Sequence, residues 1–153
     1  MTFGNMQTPL ATGSDAVALI PQKPPFVLID TLVSATNDTF NSAFTIPADH
    51  VLVHNGVLLQ AGLMENAAQT AALGMGYTAK ERNEPPPLGF IGALTRIVFT
   101  GKAAVGKRLE TTVVVKHEVM NARVLEASVQ CEGRSIAQLE LKVFIMDPNA
   151  VNG

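Results

Sequence analysis

Tryptophan is absent from the chain's 153 residues, and there is one tyrosine and one cysteine. A single thiol cannot close an internal disulfide, so burial and hydrogen bonding must hold the fold, and a reducing, cytoplasmic setting is the simplest expectation. Cys131 ends a strand-like run, Ala127 to Cys131, just before the turn Glu132-Gly133. A small half-buried strand residue is the simpler reading there than a nucleophile. Charge of one sign is also lacking: 11 basic and 13 acidic residues leave a net charge of −2, so no broad basic face for nucleic acid is expected. No apolar run reaches the ~18 residues needed to span a bilayer. Residues 1–14 lack the basic-then-apolar order of a secretory leader and read as a flexible arm. The three histidines form no ligand-spaced cluster with one another or with several acidic residues, and Cys131 stands alone, so no metal site is expected.

Apolar residues make up 47% of the chain, enough for the core of one domain, placed at residues 15–147 with a flexible tail at 148–153. Ser14-Asp15 predicts a short helix over 15–20, stopped by Pro21. Pro24-Pro25 predicts extended backbone through Phe26-Val27-Leu28-Ile29. After the turn Asn37-Asp38, residues 39–46 alternate, with Phe40, Ser42, Phe44 and Ile46 on one face, which suggests a hairpin. One long helix is expected over about 57–73, ended by Gly74 and Gly76, and followed by a polar linker over 77–84. Four strands follow at about 88–100, 109–119, 123–131 and 135–146, with turns at 101–106, Met120-Asn121 and Glu132-Gly133. Helices and strands do not alternate regularly, so the plan is α+β with an antiparallel sheet. A thin, Ala-rich helix wrapped by such a sheet is the hot-dog arrangement.

The helix carries one polar stripe. At about 100° per residue, Gly62, Glu65, Asn66, Gln69 and Thr70 fall within a sector ~140° wide. A charge buried there is costly unless paired. Two readings stay open for Glu65 and Gln69: an acid group at an active site, or hydrogen bonding to strand backbone or across a dimer. Asn66 and Thr70 read more simply as structural. His117 reads as a surface strand residue.

Two segments resemble the 3-hydroxyacyl-acyl carrier protein dehydratases. Ile20-Pro21-Gln22-Lys23-Pro24-Pro25-Phe26-Val27-Leu28-Ile29-Asp30 matches that family's Leu-Pro-His-Arg-x-Pro-Phe-Leu-Leu-Val-Asp in spacing, with Gln22 in place of the histidine. Met64-Glu65-Asn66-Ala67-Ala68-Gln69 is similar to its Leu-Glu-Ala-Met-Ala-Gln segment, and the stretch from Phe90 to Arg108 is also similar. The family's His-Phe-Pro-Gly-x-Pro-x-x-Pro-Gly loop is matched poorly by Asp49 to Gly62. Counting forward from the second strand places His54 at the catalytic histidine; counting back from Glu65 lands on Val51, and His50 is an alternative base.

The resemblance implies a hydro-lyase acting on a 3-hydroxyacyl thioester. A histidine removes the proton beside the carbonyl and the helix carboxyl handles the departing hydroxyl. Here those roles fall to His54 (or His50) and Glu65. Backbone amides near Ala61 and Gly62 would polarise the thioester carbonyl, and Gln69 and Phe90 would also contact substrate. No cofactor is implied beyond the phosphopantetheine arm of acyl carrier protein or CoA that bears the substrate. The site would form between subunits of a dimer or higher oligomer. Arg96, Lys102, Lys107 and Arg108 form a local basic group, either a docking point for an acidic carrier protein or, more simply, solvated turn residues. Two further readings compete: an acyl thioesterase, suggested by His54-Asn55-Gly56 followed by a helical acid, and a non-catalytic acyl-binding homologue that has lost the base.

Overall fold

The computed structural model describes residues 8–146. Its elements are β1 (Ala11–Thr12), α1 (Gly13–Val17), β2 (Thr31–Ala35), β3 (Thr39–Thr45), β4 (Val53–His54), β5 (Val57–Leu58), α2 (Gln60–Glu81), β6 (Leu88–Phe99), β7 (Arg108–Val119), β8 (Ala122–Cys131) and β9 (Arg134–Met146). Seven strands form one antiparallel sheet in the order β1-β2-β3-β7-β8-β9-β6, with β4 and β5 as a separate small hairpin. The sheet packs on α2 through β2, β3, β7, β8 and β9. This is the α+β, hot-dog fold.

Alternation in β3 points Phe40, Ser42, Phe44 and Ile46 into the interior, and all four are buried. Facing them, α2 presents Ala67, Ala68 and Ala71, whose small side chains let the sheet approach closely. The hairpins β7–β8 and β8–β9 turn at Met120 and Glu132, each with φ above +50°, as their two-residue connections require.

Four expectations are corrected. The first helix spans Gly13–Val17 rather than 15–20. Ala11 and Thr12, placed in the flexible arm, pair with Leu32 and Thr31; the rest of the expected arm before residue 8, and the expected tail, lie outside the described residues. The hairpin partner of β3 is Thr31–Ala35, not Phe26–Ile29. The long helix neither starts at Val57 nor stops at Gly74: Val57–Leu58 is a strand, and α2 runs through both glycines and most of the expected linker to Glu81.

Those glycines serve close approach. A Cβ on Gly74 would lie 2.0 Å from the Phe40 ring, and one on Gly76 would lie 2.2 Å from the Leu19 carbonyl oxygen. Gly74 lets β3 press its phenylalanine onto the helix axis. Gly76 lets the chain leaving α1 cross the helix backbone directly.

Candidate active site

Segment 26–28 lies outside the sheet, with no strand beside it. Three of its backbone groups are satisfied by side chains of α2 instead. Gln69 Oε1 accepts from Leu28 N–H at 2.7 Å, and Gln69 Nε2 donates to the Phe26 carbonyl at 2.9 Å. One amide thus stands in for the peptide group of a neighbouring strand. Asn66 Nδ2 donates to the Leu28 carbonyl at 2.8 Å, and Asn66 Oδ1 accepts from Thr111 Oγ1 at 2.6 Å. Thr70 Oγ1 donates to the Asn66 carbonyl at 2.8 Å and bonds Ser42 Oγ at 2.7 Å. Asn66, Gln69, Thr70, Ser42 and Thr111 are all fully buried. The polar stripe of α2 therefore ties three chain segments to the helix.

Glu65 is half-buried at the edge of this network. Gln69 Nε2 donates to its Oε1 at 3.1 Å, one turn along the helix. Because the other end of the same amide is anchored on segment 26–28, the carboxyl is held by a group that is itself fixed.

The two loop histidines differ sharply. His50 is half-buried, and both ring nitrogens are engaged: Nδ1 accepts from Leu52 N–H at 3.1 Å and Nε2 lies 2.9 Å from the Val27 carbonyl. A carbonyl only accepts, so Nε2 carries the proton and the ring is held as one tautomer. The ring also stands nearly perpendicular to that of Phe44, with centroids 6.1 Å apart. His50 thus pins the loop to segment 26–28. His54 is exposed in the small β4–β5 hairpin, whose turn places Asn55 and Gly56 at positive φ. No ion pair joins either histidine to Glu65 among the described residues. His117 is exposed on β7.

The helix start has no side-chain cap. Gly62 N–H is already committed to the Leu59 carbonyl at 2.8 Å, and Gly62 packs under Leu58. Of the two amides expected to meet a carbonyl, Ala61 N–H is the one on an exposed residue with no backbone partner among the described residues.

An apolar cavity of about 790 Å³ runs beside the same helix. Its floor includes Ala68, Ala72 and Met75, and its walls are the chain leaving α1, the Pro85–Pro87 connection, the start of β6 and the end of β9. Glu65 precedes Ala68 by three residues and Ala72 by seven, so it shares their helical face at the end nearer the N-terminus. Phe90 lines the cavity and stacks on Phe144, with ring centroids 5.5 Å apart. The cavity floor escaped sequence reasoning, although its signal was present: small residues follow Glu65 at helical spacing. Among the described residues, no group of three or more His, Cys, Asp or Glu side chains converges as a metal site would.

Solved structures share this fold. A chain of the dehydratase heterocomplex ApeI:P from Xenorhabdus doucetiae superposes with a TM-score of 0.79 at 18% identity, covering 90% of this chain and 94% of that one. A hypothetical thioesterase protein with coenzyme A from Streptococcus pneumoniae gives 0.63 at 11% identity, with 75% and 84% covered. The E. coli PaaI protein from the phenylacetic acid degradation operon gives 0.59 at 17%, with 74% and 80% covered. At such identities the likeness is one of fold, which hosts several activities. No curated protein sequence matches the chain. The family described as ApeP dehydratase, however, matches residues 14–152, nearly the whole length, and the chain belongs to that ApeP-like family.

Proposed function

We propose that this protein dehydrates a 3-hydroxyacyl thioester, carried on the phosphopantetheine of an acyl carrier protein or on CoA, in fatty-acid or polyketide-type metabolism. The observation that carries this reading is Glu65. It is half-buried, oriented by an anchored amide, and one helical turn before Ala68, the first residue of α2 to line the apolar cavity of about 790 Å³. Membership of a dehydratase family supports the same chemistry.

In this mechanism the thioester carbonyl meets the open first turn of α2 at Ala61, whose N–H, without a backbone partner among the described residues, stabilises the developing enolate oxygen. A histidine takes the proton from the carbon next to the carbonyl. Glu65 then gives a proton to the 3-hydroxyl, which leaves as water while the carbon–carbon double bond forms. His54 is the better base, because His50 has both nitrogens bound to backbone. His54 sits at an exposed hairpin tip, a position suited to reaching a second subunit's Glu65.

The sheet supplies a place for that subunit. Its edge strand β6 is 12 residues long, has no strand on its outer side among the described residues, and exposes Phe90, Ile97 and Val98. An apolar edge of that length calls for a covering partner. A second hot-dog protomer, identical or related, fits it, and the solved ApeI:P assembly is a dehydratase heterocomplex. The single cysteine suits a cytoplasmic setting; no described helix is long and apolar enough to cross a membrane.

The test is to incubate the full chain with 3-hydroxybutyryl pantetheine thioester and follow the enoyl product and free thiol together. Enoyl formation without thiol release is expected. Thiol release alone establishes a thioesterase, and neither product establishes a binding subunit; each contradicts the proposal.

A further inference from the structure

The apolar cavity beside α2 contains one polar side chain, Gln22, among its lining residues. Gln22 Oε1 is buried and has no hydrogen-bond partner among the described residues. An unmet buried carbonyl oxygen is uncommon in folded proteins, because it gave up water for nothing. The rest of the cavity lining, Leu19, Pro21, Phe90 and Ile145 among it, offers no side-chain donor to correct it. A ligand can.

The position of Gln22 along the helix follows from its neighbours. The Leu19 carbonyl lies against Gly76, and the Phe26 carbonyl is held by Gln69. Segment 19–26 therefore runs along α2 from Gly76 back towards Gln69, with Gln22 between. At about 1.5 Å of rise per residue, this places Gln22 roughly 6–16 Å beyond Glu65 along the helix axis. That is too far for the reacting hydroxyl, but within reach of a group further along an acyl chain. The last torsion of a glutamine side chain is soft, so a donor on a ligand can draw Oε1 toward the cavity.

We infer that Gln22 is a specificity residue: it accepts a hydrogen bond from a hydroxyl carried on the acyl chain, remote from the thioester. This rests on the acyl-thioester reading above. An otherwise apolar chamber without Gln22 disfavours such a hydroxyl, because it would lose its water and gain no acceptor.

The test uses saturated acyl pantetheine thioesters of graded chain length, each made with a methyl or a hydroxyl at its far end. Binding to the wild-type full chain and to Gln22→Met is measured by calorimetry. Holding the pantetheine constant separates a donor on the chain from the amides of the arm. At the length that reaches Gln22, the wild type binds the hydroxyl-ended chain at least as tightly as the methyl-ended one. Gln22→Met shifts that ratio toward the methyl by roughly tenfold or more. Without ligand, Gln22→Met unfolds at the same or a higher temperature than the wild type, because it removes an unmet polar atom.

An unchanged ratio at every length overturns the inference while leaving the acyl-thioester reading intact. So does a wild-type preference for methyl throughout, or a lower unfolding temperature for Gln22→Met. If the wild type binds neither series, the inference and the acyl-thioester reading fall together.

Discussion

Gln69 commits both ends of its amide to the backbone of segment 26–28 and a third contact to Glu65. Replacing it with leucine leaves Leu28 N–H buried and unpaired and takes the donor from the half-buried Phe26 carbonyl. A loss of about 1–3 kcal/mol for each stranded group is expected in urea denaturation; a change below about 0.5 kcal/mol contradicts the assigned network. The stripe that holds Gln69 was legible in the sequence, because helical periodicity alone groups it with Glu65, Asn66 and Thr70. What the stripe touches was not legible. Segment 26–28 reads as a strand from its apolar and β-branched composition, but it forms none, and nothing local shows that amide side chains take up its backbone groups. The histidines were harder still: His50 and His54 look alike in the sequence, and their difference lies in backbone partners contributed by Val27 and Leu52. Cys131 is simpler. Burial at the end of β8 pushes its thiol up from the ordinary value and disfavours the thiolate. A thiol raised in the folded state contributes stability that is present at neutral pH and lost as pH rises through the thiol range. A thiol-specific reagent at neutral pH is expected to label the folded chain much more slowly than the urea-unfolded chain; equal rates contradict the burial.

At the scale of elements, the long helix and the four C-terminal strands were readable because their patterns run over many residues. The helix end was not. A glycine stops a helix or admits a close neighbour depending on what faces it, and here Phe40 and the Leu19 carbonyl are brought by distant segments. Gly74→Ala is therefore expected to destabilise the fold by about 1–3 kcal/mol or more, despite alanine's better helix propensity. Combining it with Phe40→Leu, which empties the space the new methyl needs, is expected to cost less than the sum of the single changes. Strict additivity in thermal or urea unfolding contradicts the close-approach reading, and a stabilised Gly74→Ala contradicts it outright.

At the scale of the whole molecule, the sheet has unequal edges. β1 closes one side with two residues, while β6 leaves twelve on the other, several of them apolar and exposed. Light scattering is expected to give at least a dimer, and Val98→Lys is expected to weaken it by setting a charge on the joining edge; a wild-type monomer contradicts the shared site. In the proposed mechanism, dehydration turns on Glu65. Its most direct measurement compares wild type and Glu65→Gln for hydration of crotonyl pantetheine thioester, the reverse reaction, with thermal unfolding recorded on both samples. A loss of about a hundredfold or more in rate, with unfolding unchanged, is the expected result; equal rates for the two proteins contradict the assignment of the chemistry to this carboxyl.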